Sequence, residues 1–173
     1  LLQRVIAMIN ETSWVGMNVD IKGEIYESLL ERVASDTKSG AGQYFTPRPL
    51  IRAMVAALRP QPKKTIADPA CGTGGFFLSA QDYLLHSYGK ELGRDELQFL
   101  KSKTFTGWEL VPETARVCVM NLFLHGIGES ADTPPIHRDD SLLADSGMRF
   151  DYVLANPPFG RQSSYVVTAE ESG

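Results

Sequence analysis

Up to residue 58 apolar residues recur at helical spacing, and beyond it short apolar runs are separated by turn residues. Spacings of three and four residues predict amphipathic helices over residues 1–10, 18–35 and 47–58. Glycine and serine at residues 38–42 predict a flexible linker between the second helix and the third. The first part of the chain is therefore expected to be helical.

The third predicted helix has clear start and stop signals. We expect Thr46 to be its N-cap and Pro47 its first residue, where the missing N–H costs nothing. Pro60 and Pro62 stop the helix. Its spacing predicts a buried apolar face made of Leu50, Ile51, Met54, Val55 and Leu58.

From residue 64 onward, strand and helix patterns alternate, which indicates an α/β fold with a doubly wound parallel sheet and right-handed crossovers. Four strands make a thin open sheet whose last strand lies near an edge. We therefore expect the C-terminal part of the sheet to lie outside this sequence or to reach the fold from elsewhere. The predicted strands end at Asp68 and cover residues 104–108, 136–138 and 150–155; helices cover 75–88 and 112–125, and a polar connection at 89–103 contains a short helical stretch.

Composition sets limits on partners. The 173 residues suffice for a domain with a real core, and the formal net charge is −4. No global basic field draws such a chain to nucleic acid or to an anionic membrane. If the protein acts on DNA, a local patch or another subunit must supply most of the phosphate contacts.

The two cysteines, Cys71 and Cys118, form no CxxC pair, and the chain has too few histidines for a zinc cluster. This usage suits a reducing cytoplasm, with a disulfide the less favoured interpretation. The sequence has no run of about 18 apolar residues and no N-terminal signal pattern, so no membrane association is expected. Because the sequence starts on Leu1 within a helical pattern, we expect it to be part of a longer protein.

The most informative stretch is residues 68–76, where a predicted strand turns on Gly72, Gly74 and Gly75 into a helix. Such a turn brings backbone N–H groups and a helix N-terminus close to a ligand, and it is typical of phosphate, carboxylate and nucleotide sites. The third glycine of the G-x-G-x-x-G dinucleotide pattern is absent. A tight turn without a ligand is the alternative.

Two acidic residues follow later strands. Glu109, after the second strand, can bind both hydroxyls of a ribose. Asp140, after the third, can accept a hydrogen bond from an adenine amino group. The alternatives are a solvated carboxylate at Glu109 and an Asx-type turn at Asp140.

The fourth strand runs into Asn156-Pro157-Pro158-Phe159. The prolines fix the backbone and remove N–H donors, so an asparagine oxygen and a neighbouring carbonyl are left as two acceptors for one amino group. The aromatic ring can stack on a planar heterocycle. A strand that simply ends in two prolines would need neither the asparagine nor the phenylalanine.

Together these segments resemble the amino-methyltransferase motifs of the modification (M) subunit of type I restriction–modification systems. The match covers about residues 42–160, in the order that the family uses. The resemblance implies a Rossmann-like S-adenosylmethionine-dependent methyltransferase fold over residues 40–173, as the N-terminal part of the catalytic domain. Residues 1–39 would be the end of an N-terminal helical domain. The matching segments are residues 43–48 (QYFTPR), 68–74 (DPACGTG), 107–109 (GWE), 140–141 (DS) and 156–159 (NPPF).

The resemblance also implies roles for individual residues. Asp68 would lie by the methionine moiety of the cofactor, Glu109 would hold the ribose hydroxyls and Asp140 the adenine ring. The catalytic group would be Asn156, Pro157, Pro158 and Phe159, which receive a flipped adenine. The cofactor-binding group would be Gln43, Tyr44, Phe45, Thr46, Pro47, Arg48, Asp68, Cys71 (whose side chain is interpreted as packing), Gly72, Thr73, Gly74, Gly75, Glu109, Asp140 and Ser141.

The function implied is site-specific DNA adenine-N6 methylation with S-adenosylmethionine and without a metal. The implied partners are DNA, a specificity subunit, an ATP-driven restriction subunit and a second copy of the M subunit. Cytosine-N4 and protein-glutamine methylation are alternatives, because they use a similar Asn-Pro-Pro-aromatic motif. A non-catalytic assembly module or an incompetent fragment is the alternative from another class.

Overall fold

The structure is a computed structural model, and it describes residues 2–11, 46–128 and 134–157. The helix predicted over residues 18–35, the linker at 38–42 and the domain boundary after residue 39 lie outside the described residues. In chain order the elements are α1 (Leu2–Glu11), α2 (Arg48–Leu58), β1 (Ile66–Asp68), α3 (Gly75–Tyr88), α4 (Arg94–Ser102), β2 (Phe105–Trp108), α5 (Pro112–Leu124), β3 (Ile136–His137) and β4 (Tyr152–Val153).

The strands form one parallel sheet in the order β3-β2-β1-β4. The chain builds outward from β1 through β2 to β3 and then returns to the opposite side of β1 with β4. The prediction of a doubly wound parallel sheet is thus confirmed, with β4 at an edge of the described sheet. In such sheets ligands bind beyond the carboxyl ends of the strands, at the point where the strand order reverses. Here that point lies between β1 and β4.

The register brings the strand ends together. Asp68 pairs with Gly107, and Gly107 pairs with Ile136, so β1, β2 and β3 end side by side. On the other side of β1, the N–H of Leu154 donates to the carbonyl of Ala67 at 2.9 Å. The residues that follow β4 are therefore directed to the same edge of the sheet as the residues that follow β1.

The core lies between the sheet and its helices. All three residues of β1 are buried, and among the described residues the largest fully buried side chain is that of Phe77 in α3. Gly107 in β2 permits this packing, because a Cβ there would lie 2.9 Å from both Cys71 Sγ and a ring carbon of Phe77. A side chain at position 107 would push the glycine turn and α3 away from the sheet.

The start of α2 differs from the prediction. The N-cap is Pro47, whose carbonyl accepts from the N–H groups of Leu50 and Ile51, and the helix begins at Arg48. The predicted cap at Thr46 is wrong because its side chain instead contacts a residue from the far end of the chain, as described below. The predicted buried face is correct at Ile51 and Val55, with Met54 and Leu58 partly buried, but Leu50 is 50% exposed.

Helix α1 confirms the first predicted helix, and its Leu2 and Ile6 side chains are exposed. Among the described residues, no helix combines the length and the apolar character needed to cross a membrane.

Candidate functional site

The turn that joins β1 to α3 has one open side and one packed side. Gly72 has a φ of +55°, and a Cβ built there meets nothing within 4 Å, so its backbone faces open space. Gly74 has a φ of +84°, and a Cβ there would lie 3.0 Å from Cys118 Sγ in α5. The left-handed backbone and the close helix explain why this turn uses glycines. The open side is the side available to a ligand.

Glu109 holds the open side of this turn from the end of β2. Its Oε2 accepts from the N–H of Gly72 at 3.1 Å, and its Oε1 accepts from the N–H of Val111 at 2.8 Å. The carbonyl of Trp108 also accepts from the N–H of Cys71 at 2.9 Å. Since each carboxylate oxygen can accept more than one hydrogen bond, Glu109 keeps acceptor capacity for a hydroxyl-bearing ligand.

Asp68 lies at the base of the turn and is 1% exposed. Burial raises the pKa of its carboxyl to about 7, the hydrogen bond from the N–H of Ala70 opposes the rise, and the charge of Glu109 adds to it. A carboxyl that titrates near neutral pH at the end of a strand is typical of a functional site. It can bind a cationic group when ionised.

Folding stability should depend on the ionisation of Asp68. The pKa of its carboxyl is about 3.8 in the unfolded chain and about 7 in the folded one. Between these values the unfolded chain loses the proton first, so the free energy of unfolding should fall by about 1.4 kcal/mol for each pH unit and level off above about pH 7. Asp68→Asn removes this slope, and urea denaturation at a series of pH values measures it.

Asp145→Asn is the matched control. Asp145 is exposed, and its hydrogen bonds to Arg149 and to the N–H of Gly147 lower its pKa to about 2. It therefore contributes stability that is lost only below about pH 4. Between pH 4 and 7 the free energy of unfolding of Asp145→Asn, plotted against pH, should run parallel to that of the wild type. An Asp68→Asn curve that also runs parallel there would contradict the prediction.

Asn156 follows β4 and reaches the same edge of the sheet. Its Nδ2 donates to Oγ1 of Thr46 at 2.9 Å, across 110 positions of sequence. The two residues line one small cavity with the residues of the turn, so the segment before α2, the glycine turn and the end of β4 meet at one place. The lining consists of Thr46, Arg48, Ile51, Asp68, Ala70, Cys71, Gly72, Thr73, Gly75, Phe76 and Asn156.

Helix α2 is fixed against the start of α3. A Cβ at Gly75 would lie 3.0 Å from Ile51 Cδ1 and 3.4 Å from Arg48 Nη1. Because Gly75 carries no side chain, α2 can approach the turn this closely. The first residues of α2 are thereby held beside the open side of the turn.

The loop after β3 closes the other side of the site. Ser141 Oγ donates to the carbonyl of Pro69 at 2.8 Å, which ties this loop to the turn. Asp140 Oδ1 accepts from the N–H of Leu142 at 2.9 Å, so the Asx-type turn offered as an alternative at this position is present.

A second cavity of about 310 Å³ lies beside this loop, at the lower end of the range for ligand cavities. The Trp108 ring stacks on His137 with centroids 5.3 Å apart and meets Phe150 edge-on. The cavity therefore combines an aromatic wall with carboxylates. Its lining consists of Ala67, Pro69, Trp108, Asp139, Asp140, Ser141, Leu143, Ala144, Asp145, Ser146, Phe150 and Val153.

One contributor was not predicted from the sequence. Asn121 in α5 is fully buried and donates from Nδ2 to the carbonyl of Thr73 at 3.0 Å. The backbone carbonyl oxygen of Asn121 contacts Nδ1 of His125 at 2.8 Å. The available signal was a polar residue on the face of α5 that also carries the apolar Cys118 and Leu122. Asn121 therefore fixes the glycine turn from the side of α5.

Cys71 and Cys118 are free thiols with sulfurs 3.9 Å apart. Their contact and their burial raise the pKa of Cys71, so this thiol stays protonated and packs as an apolar group. In the described part of the chain, no group of three or more His, Cys, Asp or Glu side chains is placed to hold a metal ion.

The structure brings most of the predicted site residues to one edge of the sheet, on the two cavities and the turn between them. Their individual roles stay predictions. Pro157 directly follows Asn156 and is exposed. The predicted site residues Gln43, Tyr44, Phe45, Pro158 and Phe159 lie outside the described residues.

Known proteins match this chain in sequence and in fold. The family model described as N-6 DNA Methylase matches residues 17–172. The type I restriction enzyme StySPI methylase subunit of Salmonella potsdam is 38% identical over 176 residues, which cover 96% of this chain and 33% of that protein. The type I restriction enzyme EcoKI methylase subunit of Escherichia coli (strain K12) is 40% identical over 158 residues, which cover 88% of this chain and 30% of that protein.

A solved structure described as showing complex assembly and conformational transition of the type I R-M system superposes with a TM-score of 0.76 at 32% identity. It covers 93% of this chain and 32% of the solved chain. The present chain thus spans about one third of the length of the curated relatives it matches. The parallel sheet has the Rossmann-like arrangement of methyltransferases. The chain belongs to the N-6 DNA methylase family, and the two relatives named above are methylase subunits of type I restriction enzymes.

Proposed function

We propose that this chain forms the cofactor- and base-binding part of a site-specific DNA adenine-N6 methyltransferase, the modification subunit of a type I restriction–modification complex. The observation that carries the proposal is the position of Asn156. Its amide lies in the cavity that also contains Asp68 and the glycine turn. A group suited to hold an amino substrate therefore lies next to a group suited to hold a nucleoside cofactor.

The residues present fit S-adenosylmethionine. The buried carboxyl of Asp68 suits the ammonium group of its methionine moiety, and Glu109 suits its ribose hydroxyls. Asp140 and the aromatic wall beside it suit its adenine ring. When bound there, the cofactor would supply an electrophilic methyl group on a sulfonium.

The protein residues would act on a target adenine that has been flipped out of the duplex, which costs a few kcal/mol of unstacking. Asn156 Oδ1 and the carbonyl of Pro157 would accept hydrogen bonds from the N6 amino group and direct its lone pair out of the ring. Phe159 would stack on the base, a contact worth about 1–3 kcal/mol in single-strand binders. Catalysis would thus come from positioning and electrostatics, without a covalent intermediate on the protein.

The charge of the chain supports dependence on partners. With a net charge of −4, it does not attract DNA by its overall field. We propose that a specificity subunit supplies most phosphate and base contacts. A restriction subunit and a second copy of the modification subunit would complete the complex.

The test is methylation by the full-length protein, assayed alone and with its specificity subunit. Labelled S-adenosylmethionine is incubated with adenine-containing DNA, and the modified base is identified by mass spectrometry. N6-methyladenine that forms only in the presence of the specificity subunit is the expected result.

Other products would point to other functions. Label found in N4-methylcytosine or in protein glutamine would show that the substrate is cytosine or a protein rather than adenine. If calorimetry of the full-length protein detects no cofactor binding, the chain is a non-catalytic module. Membership in the N-6 DNA methylase family favours adenine over both alternative substrates.

A further inference from the structure

A hydrogen bond joins Thr46 and Asn156, which belong to two separate sequence motifs. Nδ2 of Asn156 donates to Oγ1 of Thr46 at 2.9 Å. Thr46 does not cap α2, because the N-cap is Pro47 and has no side-chain cap bond. The hydroxyl of Thr46 is therefore committed to the amide of Asn156 rather than to the helix that it precedes.

This bond matters because a side-chain amide has a donor end and an acceptor end. A substrate amino group donates, so it needs the acceptor end; the donor end would repel it. With Nδ2 bonded to Thr46, Oδ1 is the end left for the substrate. We propose that Thr46 is a positioning residue that fixes the amide of Asn156 with its oxygen toward the substrate amino group, an inference that rests on the function proposed above.

The hydroxyl of Thr46 is itself held in place. Pro47 follows it and restricts the backbone of Thr46 to extended conformations. Pro47 in turn is the N-cap of α2, whose Ile51 is buried against the start of α3 at Gly75. Thr46 thus links the packed helix α2 to the loop that follows β4, which lies at an edge of the described sheet.

The first experiment is kinetic and uses the full-length protein with its specificity subunit. Thr46→Val keeps the shape of the side chain and removes the hydrogen bond. It should lower kcat for methyl transfer by about 10- to 100-fold, because a misplaced reacting group costs up to that much. The calorimetric Kd for S-adenosylmethionine should stay unchanged, and Thr46→Ser, which keeps the hydroxyl, should restore most of kcat.

Two kinetic results would overturn the inference. A wild-type kcat in Thr46→Val would show that the bond does not position Asn156. A loss of cofactor affinity as large as the loss of kcat would make Thr46 a cofactor ligand instead, the role that the family resemblance implies for it.

The second experiment does not depend on activity. The full-length protein is labelled with ¹⁵N-asparagine, and NMR follows the exchange of the Asn156 side-chain NH₂ protons with water. The Asn156 signal is identified by its absence in Asn156→Asp. The exchange should be about fivefold faster in Thr46→Val than in the wild type and in Thr46→Ser, as for loss of one hydrogen bond. Equal rates would overturn the inference. If exchange is slow in the wild type but the protein does not methylate adenine, the proposed function is wrong, whereas the hydrogen-bonded orientation of Asn156 is supported.

Discussion

Replacing Asn156 by alanine is expected to lower methyl transfer to DNA by about a hundredfold or more, the scale seen when one preorganised hydrogen-bonding group is removed from an active site. Asn156 lies three residues beyond β4, in the cavity that it shares with Asp68 and Thr46. Alanine removes the proposed acceptor for the substrate amino group and leaves the glycine turn untouched. The calorimetric Kd for S-adenosylmethionine should therefore stay close to the wild-type value.

Asn10→Ala is the control for this variant, because Asn10 is exposed on α1 and belongs to no part of the site. It should methylate at the wild-type rate. Asn156 would lose its assigned role if the alanine variant also methylated at that rate. An equal loss of cofactor affinity and turnover would place it among the cofactor ligands.

Glu109→Ala is expected to weaken S-adenosylmethionine binding by about 10- to 100-fold, since a hydrogen bond to a charged group contributes about 1.5–3 kcal/mol. The structure adds a second reason to the predicted ribose contact. Both oxygens of Glu109 accept backbone N–H groups, those of Gly72 and Val111. The variant would thus lose the proposed ribose contact and also release one side of the turn, and calorimetry measures the combined effect.

Two further variants sharpen this test. Glu109→Gln has one acceptor oxygen and so satisfies one of the two N–H groups, which predicts an intermediate affinity. Glu113→Ala removes an equal charge from an exposed position in the first turn of α5 and should bind the cofactor as the wild type does. An unchanged affinity in Glu109→Ala would remove Glu109 from the site.

The glycine turn is held from two sides, by Glu109 at Gly72 and by the buried Asn121 at the carbonyl of Thr73. Both bonds come from elements that follow the turn in sequence, the end of β2 and helix α5. A turn fixed in this way before a ligand arrives does not have to be ordered by binding, so more of the contact energy contributes to affinity. The two hydrogen bonds to the backbone of the glycine turn are therefore expected to favour ligand binding.

The sequence by itself determined the order of the elements and the ends of β1 and β2, whereas β3 and β4 end one and two residues earlier than predicted. Helix α3 covers the predicted residues 75–88, and β1 ends at the predicted Asp68. Both follow from local signals: hydrophobic spacing and glycine turns act over a few neighbouring residues. The positions of Glu109 and Asn156 at one edge of the sheet were predictable for the same reason, since both follow strands that the pattern reveals.

Only the tertiary structure decided which of these groups touch. Thr46 looks like a helix cap to any local rule, yet its hydroxyl bonds to a residue 110 positions away. Glu109 was predicted as a ligand for a ribose, and its bond to the turn depends on the register that sets Gly107 beside Asp68. Asn121 carries no local signal beyond its polarity. Such contacts depend on which strands become neighbours and on how closely helices approach, and these distances are fixed by the packing of the whole core rather than by any one stretch of chain.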